Sequence, residues 1–396
     1  MTATVVRRVS IFPLIIPLRT RVSHAMADRG VADPIVAAVE LGDGTVGYGE
    51  TSARSYVTQE TVDTVLAALS GTFVTVLSDF HPASFPEALE AIEALPWRDA
   101  DGRLIPAARA AVELALLDAV LRSSHRTMDE VVSWMGLPAF GRPGSLASVR
   151  FSGVLASDDL AGTKRQLRRM YWFGLRHFKL KVGWADDWPR LAAVTEFLKR
   201  PLAVGRATLR VDANGVWSKE RAVEWLADAR AFPITAMEQP LARGDEDELP
   251  MVRDLFDGRL VHDESLVTRE DAQRLIDLGV ADVFNIRISK CGGLLPSLRL
   301  AALARRSEVG VQLGCMVGET SILSAAGLRF LEVCPAVMWA EGSFGSFLMR
   351  GDVVRRGLRF GFGGRLPRLS GWGLGVDVDP QRLQQFCEGR PIVHNL

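Results

Sequence analysis

Cysteine is scarce in this chain and follows no pattern. The four cysteines, Cys291, Cys315, Cys334 and Cys387, include no Cys-x-x-Cys pair. That excludes a disulfide scaffold and a thiolate zinc site, and it suits a reducing cytoplasm. An excess of one charge is also missing, because 47 Lys and Arg balance 47 Asp and Glu along the chain. Such a balance offers no basic face to nucleic acid or to an anionic membrane. No run of about 20 apolar residues is present to span a bilayer. The stretch IFPLIIPL, after Arg7 and Arg8, is short, holds two prolines and is followed by Arg19 and Arg21. It is not expected to be a cleaved export signal.

What the chain does have is length and apolar content. At 396 residues, 48% of them apolar, it can build two domains, one of them a barrel. Residues 1–58 alternate as strands do, with VVRRVSIFPLIIPL and PIVAAVELGDGTVGYGE as candidates and GDG as a tight turn. TRVSHAMADRGVAD between them reads as a polar loop. Helical periodicity follows in TVDTVLAALSGTF, SFPEALEAIEAL and PAARAAVELALLDAVLRS, the last with Pro106 at its start. Residues 1–125 are therefore assigned to an α+β domain.

From about residue 146 the rhythm becomes strand then helix. ASVRFSGVL, HFKLKV, ATLRVDAN, ITAMEQPL, RLVHDES, VFNIRISK, GVQLGCM and AVMWAEGS are strand candidates, with a helical pattern after nearly every one. This repeat predicts a parallel α/β barrel over residues 126–371 rather than an open sheet. The Gly- and Arg-rich stretch from about residue 345 has its positives isolated among apolar residues. It is read as a return toward the first domain, reached over residues 372–396, not as a nucleic-acid arm.

Several strand candidates end in ionisable side chains: Lys179 and Lys181, Asp212 and Asn214, Glu238, Asp263 and Glu264, and Lys290. In a parallel barrel these ends converge at one mouth. A single acid at a strand end is usually a helix cap. Three on adjacent strands, Asp212, Glu238 and Asp263, would repel one another unless a cation joined them. Their donors are all hard oxygens, which selects Mg²⁺ or Mn²⁺ over zinc. Strands two and six face each other across a ring of eight. A small-molecule carboxylate at the metal would then have its α-carbon between Lys181 and Lys290. Lys179, two residues before Lys181, lowers that lysine's proton affinity by its charge.

As a set, KxK (Lys179, Lys181), DxN (Asp212, Asn214), EQP (Glu238 to Pro240), DES (Asp263 to Ser265) and KCGG (Lys290 to Gly293) resemble the enolase superfamily, muconate-lactonizing-enzyme subgroup. A lysine base paired with Mg²⁺ is already established for enolase-superfamily sites. The resemblance implies a modified (β/α)7β TIM barrel with an N-terminal α+β capping domain, and a homo-oligomer between dimer and octamer. It implies Asp212, Glu238 and Asp263 as metal ligands and Lys181 and Lys290 as the acid/base pair, assisted by Lys179. Asn214, Glu264 and Glu319 are implied near the substrate. Loops that determine specificity would contribute His24, Arg54 and Tyr56. A mandelate-racemase-like site is not expected, because no histidine lies between His262 and His394. His262 itself is expected to pack outside the site.

The reaction implied is abstraction of a proton α to a carboxylate, giving racemisation or epimerisation of an N-substituted amino acid or dipeptide. The alternative is a cycloisomerase, or a lyase of the o-succinylbenzoate synthase type. A non-catalytic barrel, kept for assembly or binding, is the third reading. Dipeptide epimerases of the subgroup carry Asp-x-Asp after strand eight to hold the substrate ammonium. Here Ala340, Glu341, Gly342 and Ser343 stand in that region, and only Glu341 could act so.

Overall fold

The computed structural model describes residues 4–24, 27–137, 145–342 and 344–396, without the side chains of residues 20–24, 27–29 and 145. Eight parallel strands form one sheet in sequence order: Gly153–Leu155, His177–Lys181, Thr208–Asp212, Ala236–Glu238, Arg259–His262, Val283–Ile286, Gly310–Leu313 and Trp339–Ala340. A parallel bridge between Phe151 and Ala340 joins the first end of the sheet to the last. We refer to these as barrel strands one to eight. Helices connect successive strands as βαβ units. Strands covered on the outside by helices need apolar residues at alternate positions. Phe178, Leu180, Leu209, Val211 and Met237 supply them, and all are fully buried.

The alternate positions hold polar groups. Lys179, Arg210, Glu238, Asn285, Gln312 and Glu341 bond to one another inside the ring. The register places Lys181 beside Asp212 and Asp212 beside Glu238, so these functional groups lie at one level. Strand five pairs Val261 with Glu238, and Asp263 follows two residues on.

The N-terminal layer is an antiparallel sheet of Val6–Pro13, Ile35–Leu41, Val46–Thr51 and the returning Ile392–Asn395. The tight turn at GDG is present, with Gly44 at φ 84 and its N–H on Leu41 O at 2.9 Å. Against this sheet lies the long helix Pro106–Ser124, which is buried on every face from Pro106 to Leu121. A helix buried all round belongs inside a protein, and this one sits between the sheet and the barrel with its buried Arg109, Glu113 and Asp118 hydrogen-bonded. Gly47 and Gly49 make the approach possible. A Cβ at Gly49 would meet Ala111 O at 2.0 Å, and one at Gly47 would meet Ala115 O at 2.2 Å.

The N-terminal layer also closes the starts of two barrel helices. Helix Leu294–Arg306 begins at Gly293, which has no side chain to cap it. Glu113 of the long helix accepts from Leu294 N at 3.0 Å and Leu295 N at 2.7 Å instead. Glu50 accepts from Thr320 N at 2.7 Å and Leu323 N at 2.9 Å at the start of helix Ser321–Val333. These orphan N–H groups carry the positive end of the helix dipole, which favours a carboxylate.

One expectation is corrected. The segment TRVSHAMADRGVAD is not a loop: strands Ile16–His24 and Ala27–Ala32 pair there as an antiparallel ribbon. Ladder hydrogen bonds outweigh the polar composition that suggested a loop. Short helices among the described residues also lie outside the predicted set: Ser55–Thr58, Met128–Trp134, Leu249–Asp254, Gly345–Leu348 and Pro380–Phe386. The Gly- and Arg-rich stretch laces the two layers together. Gly364 O accepts from Phe151 N at 2.8 Å, and Leu374 N donates to Asp118 at 2.7 Å.

Candidate active site

Lys181, at the end of strand two, donates to Asp212 Oδ2 at 2.6 Å and to Asn214 Oδ1 at 2.7 Å. Its side chain is 12% exposed and lines a cavity of about 320 Å³. That volume is at the lower end of the ~300–1,000 Å³ usual for small-molecule sites. Lys179 lies deeper. It stands 3.3 Å from Asp212, 3.0 Å from Glu238 and 2.9 Å from Glu341. Burial alone would draw protons off this ammonium, but Glu238, Glu341 and Asp212 together push its pKa above the ordinary value. Its charge toward Lys181 is thus largely met by carboxylates. Burial works against ionised Asp212, yet Lys181 and Lys179 hold its carboxyl well below the usual range.

Lys290 is placed differently from Lys181. It is fully buried, and its Nζ donates to Asp263 Oδ1 and to Asn285 O, each at 2.9 Å. It therefore sits in the floor of the mouth rather than on the cavity wall. Burial pulls its pKa down to about 8, with the Arg287 cation adding to the effect. Arg287 is bonded to the same Asp263 and lines the cavity.

The three acids expected to hold metal are each engaged by protein cations: Asp212 by Lys181, Glu238 by Lys179, and Asp263 by Lys290 and Arg287. Among the described residues no three His, Cys, Asp or Glu side chains stand together as a metal cage. The chemistry of the donors still fits a hard cation. Glu264 Oε2 is buried with no hydrogen-bond partner among the described residues. Burial and the nearby Asp212 charge push the Glu264 pKa up to about 7. An orphan carboxylate oxygen beside Asp212 is the environment a divalent ion relieves. Glu264 Oε1 accepts from Asn214 Nδ2 at 3.3 Å.

The remaining expected residues are spread around the mouth. Arg54 and Tyr56 line the cavity. Arg54 is buried and donates to Asp33 at 2.9 Å, Ala53 O at 2.6 Å and Val317 O at 3.1 Å, pinning two loops together. Glu319 accepts from Met316 N at 3.0 Å and Ser324 Oγ at 2.9 Å, close under the cavity. Glu341 lines the cavity too, but Lys179 and Arg210 (3.1 Å) take its two oxygens. The His24 side chain lies outside the described residues. His262 is buried, its ring on Val280 O at 2.8 Å.

Sequence reasoning missed the groups that orient these. Gln239 Oε1 accepts from Asp263 N at 3.0 Å and Ser265 N at 3.1 Å, fixing the turn that presents Asp263. Asn285 and Gln312 donate to Glu238 at 3.1 and 3.0 Å. Single polar residues inside otherwise apolar strands (VFNI, GVQL, TLRVD) were the available signal.

Residues 162–382 match the family described as Enolase C-terminal domain-like. The N-succinyl-L-Arg/Lys racemase of Bacillus cereus is 27% identical over 324 residues, covering 81% of this chain and 82% of that protein. Its crystal structure superposes with a TM-score of 0.85 at 23% identity, over 98% of this chain and all of that one. The L-Lys-D/L-Arg epimerase of Methylococcus capsulatus is 30% identical over 352 residues, covering 87% of this chain and 90% of that protein. A dipeptide epimerase from Cytophaga hutchinsonii, solved with Mg and D-Ala-L-Val, has a TM-score of 0.82 at 21% identity, over 99% and 100% of the two chains.

Proposed function

From the premise that the chain belongs to the enolase superfamily, in its muconate-lactonizing subgroup, we propose that it racemises or epimerises an N-substituted amino acid or dipeptide. The observation that carries this reading is the placing of two lysines about one set of acids. Lys181 lies on the cavity wall at 2.6 Å from Asp212, and Lys290 lies in the floor at 2.9 Å from Asp263.

In this reading Asp212, Glu238 and Asp263 hold Mg²⁺, with Mn²⁺ suited to the same oxygens. The ion's chemistry is to stabilise the second negative charge on the substrate carboxylate. One lysine, as the free amine, takes the α-proton. The C–H electron pair moves into the carboxylate to give an enediolate. The other lysine, as the ammonium, returns a proton to the opposite face. Asn214 orients Lys181 through its Oδ1, and the Asn285 carbonyl orients Lys290.

Four free cysteines support a reducing cytoplasm as its location. Among the described residues no helix is long and apolar enough to cross a membrane.

The test is incubation in D₂O with Mg²⁺ and a panel of N-acyl amino acids and dipeptides. Deuterium at the α-carbon with inversion of that centre is expected. Ring closure without racemisation would replace this reading with a cycloisomerase, and loss of water with a lyase.

A further inference from the structure

The two lysines of the site are anchored by different parts of the chain. Lys181 is braced from within the barrel. Asp212 and Asn214 accept from its Nζ, and Arg190 donates to its carbonyl at 2.8 Å. Lys290 sits on a turn that the N-terminal layer grips on both sides. Before it, Ser289 Oγ stands 2.8 Å from Thr51 Oγ1 and accepts from Ser52 N at 3.3 Å. After it, Gly292 O accepts from Arg109 Nη1 at 2.5 Å.

Arg109 belongs to the buried helix Pro106–Ser124 and is 1% exposed. Its other hydrogen bonds stay inside the N-terminal layer. Nε donates to Leu95 O at 3.2 Å, and Nη2 to Glu93 O at 3.0 Å and Ile92 O at 3.4 Å. Helix Phe85–Glu93 ends there, so the cation lies at the negative end of that helix dipole. The guanidinium carbon is also 4.7 Å from the centre of the Trp97 ring. Arg109 is thus fixed from behind, and its bond to Gly292 O is the one it extends to the barrel.

The turn itself is pliant. Gly292 and Gly293, at φ 79 and 121, let the chain reverse directly after Lys290. Glycine has the freest backbone, so such a turn needs outside support to keep one position. Trp97 bounds it on one face, where a Cβ on Gly292 would come within 2.6 Å of the ring. Arg109 holds the carbonyl.

We propose that Arg109 is the positioning residue for Lys290, and that it acts on one face of the reaction only. This rests on the racemase reading above. Through Gly292 it sets where the Lys290 side chain enters the mouth, and Lys181 does not depend on it. The two half-reactions are therefore placed by two separate layers of the fold.

The experiment measures kcat and KM for α-deuterium exchange by the Mg²⁺-loaded enzyme. Each configuration at the α-carbon is supplied pure, as the member of the N-acyl amino acid and dipeptide panel that the native enzyme exchanges fastest. Lys290→Ala identifies the configuration that Lys290 serves, as the one whose exchange it abolishes. For that configuration Arg109→Met is expected to lower kcat by about 10–100-fold, since misplacing a catalytic group by ~1 Å costs up to about 10²-fold. For the other configuration kcat is expected to stay within about threefold, and KM likewise for both. Arg109→Lys keeps a cation but loses the planar fork, and is expected to recover part of the loss while leaving the ratio of the two kcat values at least about threefold from native. Circular dichroism shows which variants are folded. A ratio within threefold of native in every folded variant would overturn the inference. An equal fall for both configurations would also overturn it, because Arg109 would then support the fold alone. Either result leaves the racemase reading standing. Exchange from neither configuration in the native enzyme would sink that reading, and this inference with it.

Discussion

The Glu341 carboxylate stands 2.9 Å from the Lys179 ammonium, and both side chains are buried. Glu341 also reaches Arg210 at 3.1 Å, so it holds two cations at the heart of the ring. Removing one partner of a buried pair leaves an uncompensated charge, which costs about 3–5 kcal/mol. Because Lys179 keeps Glu238 and Asp212, Glu341→Ala is expected to destabilise the protein by less than that, about 1–3 kcal/mol, and Glu341→Gln by less again. Urea denaturation measures it, and a loss under about 1 kcal/mol for the alanine variant would mean that water replaces the carboxylate.

Lys181 and Lys290 differ in access but are given equal parts in the reaction. Either alanine variant is expected to lower racemisation by about 10²–10⁴-fold in both directions, the usual range for a lost acid–base group. Exchange of the α-proton should survive for one enantiomer only, the opposite one in each variant. Proton NMR in D₂O with each pure enantiomer reads this directly. Near-native racemisation by Lys290→Ala in both directions would refute the two-lysine mechanism.

Chelation should stop exchange without unfolding the chain. Each of the acids Asp212, Glu238 and Asp263 has a protein cation beside it, so none is left as a bare charge when the ion departs. Activity is expected to vanish in EDTA and to return with Mg²⁺. The stability lost should be no more than the ion's binding contribution, about 2.7 kcal/mol at 100 times its Kd. Calorimetry with and without Mg²⁺ is the check, and collapse of the fold in EDTA would contradict it.

A pH effect on stability is expected from Glu50, far from the lysines. Burial pushes its pKa up to about 8, against hydrogen bonds from Thr320 and Leu323 that lower it. The folded state keeps this proton where the unfolded chain has lost it. The stability it contributes is whole below about pH 4.5, declines as pH rises toward 8, and is level above that. The slope is at most about 1.4 kcal/mol per pH unit. Glu50→Gln should flatten that part of the curve, read from denaturation midpoints at pH 5 and pH 8. Parallel curves for the two proteins would show that Glu50 does not titrate in this window.

Much of the barrel was legible because parallel strands covered by helices write themselves as apolar runs with ionisable ends. HFKLK and TLRVD state both the outer face, through Phe178, Leu180, Leu209 and Val211, and the inner one. The acids and lysines fell where the register puts them. Other features had no local signature. Helix Leu249–Asp254 is six residues long with Pro250 near its start, too short for periodicity to register. Helix Met128–Trp134 did carry a signal, the Thr127 and Glu130 capping box, which apolar spacing alone overlooks. The burial of Lys290 is decided by the Asn285 carbonyl and by Asp263, 27 residues away, so no local pattern encodes it. The partners of Glu341 were hidden likewise, because Lys179 is 162 residues off in sequence.

Glu113 and Glu50 supply helix ends that the barrel lacks for itself. A cut between the N-terminal layer and the barrel would leave the N–H groups of Leu294, Leu295, Thr320 and Leu323 without these acceptors. A barrel transplanted beneath the N-terminal layer of a relative would need acids at those two places to receive it. Exchange of whole domains among such proteins is thereby restricted to donors that bring their own matching carboxylates, and specificity is more easily altered by changing loops than by trading halves.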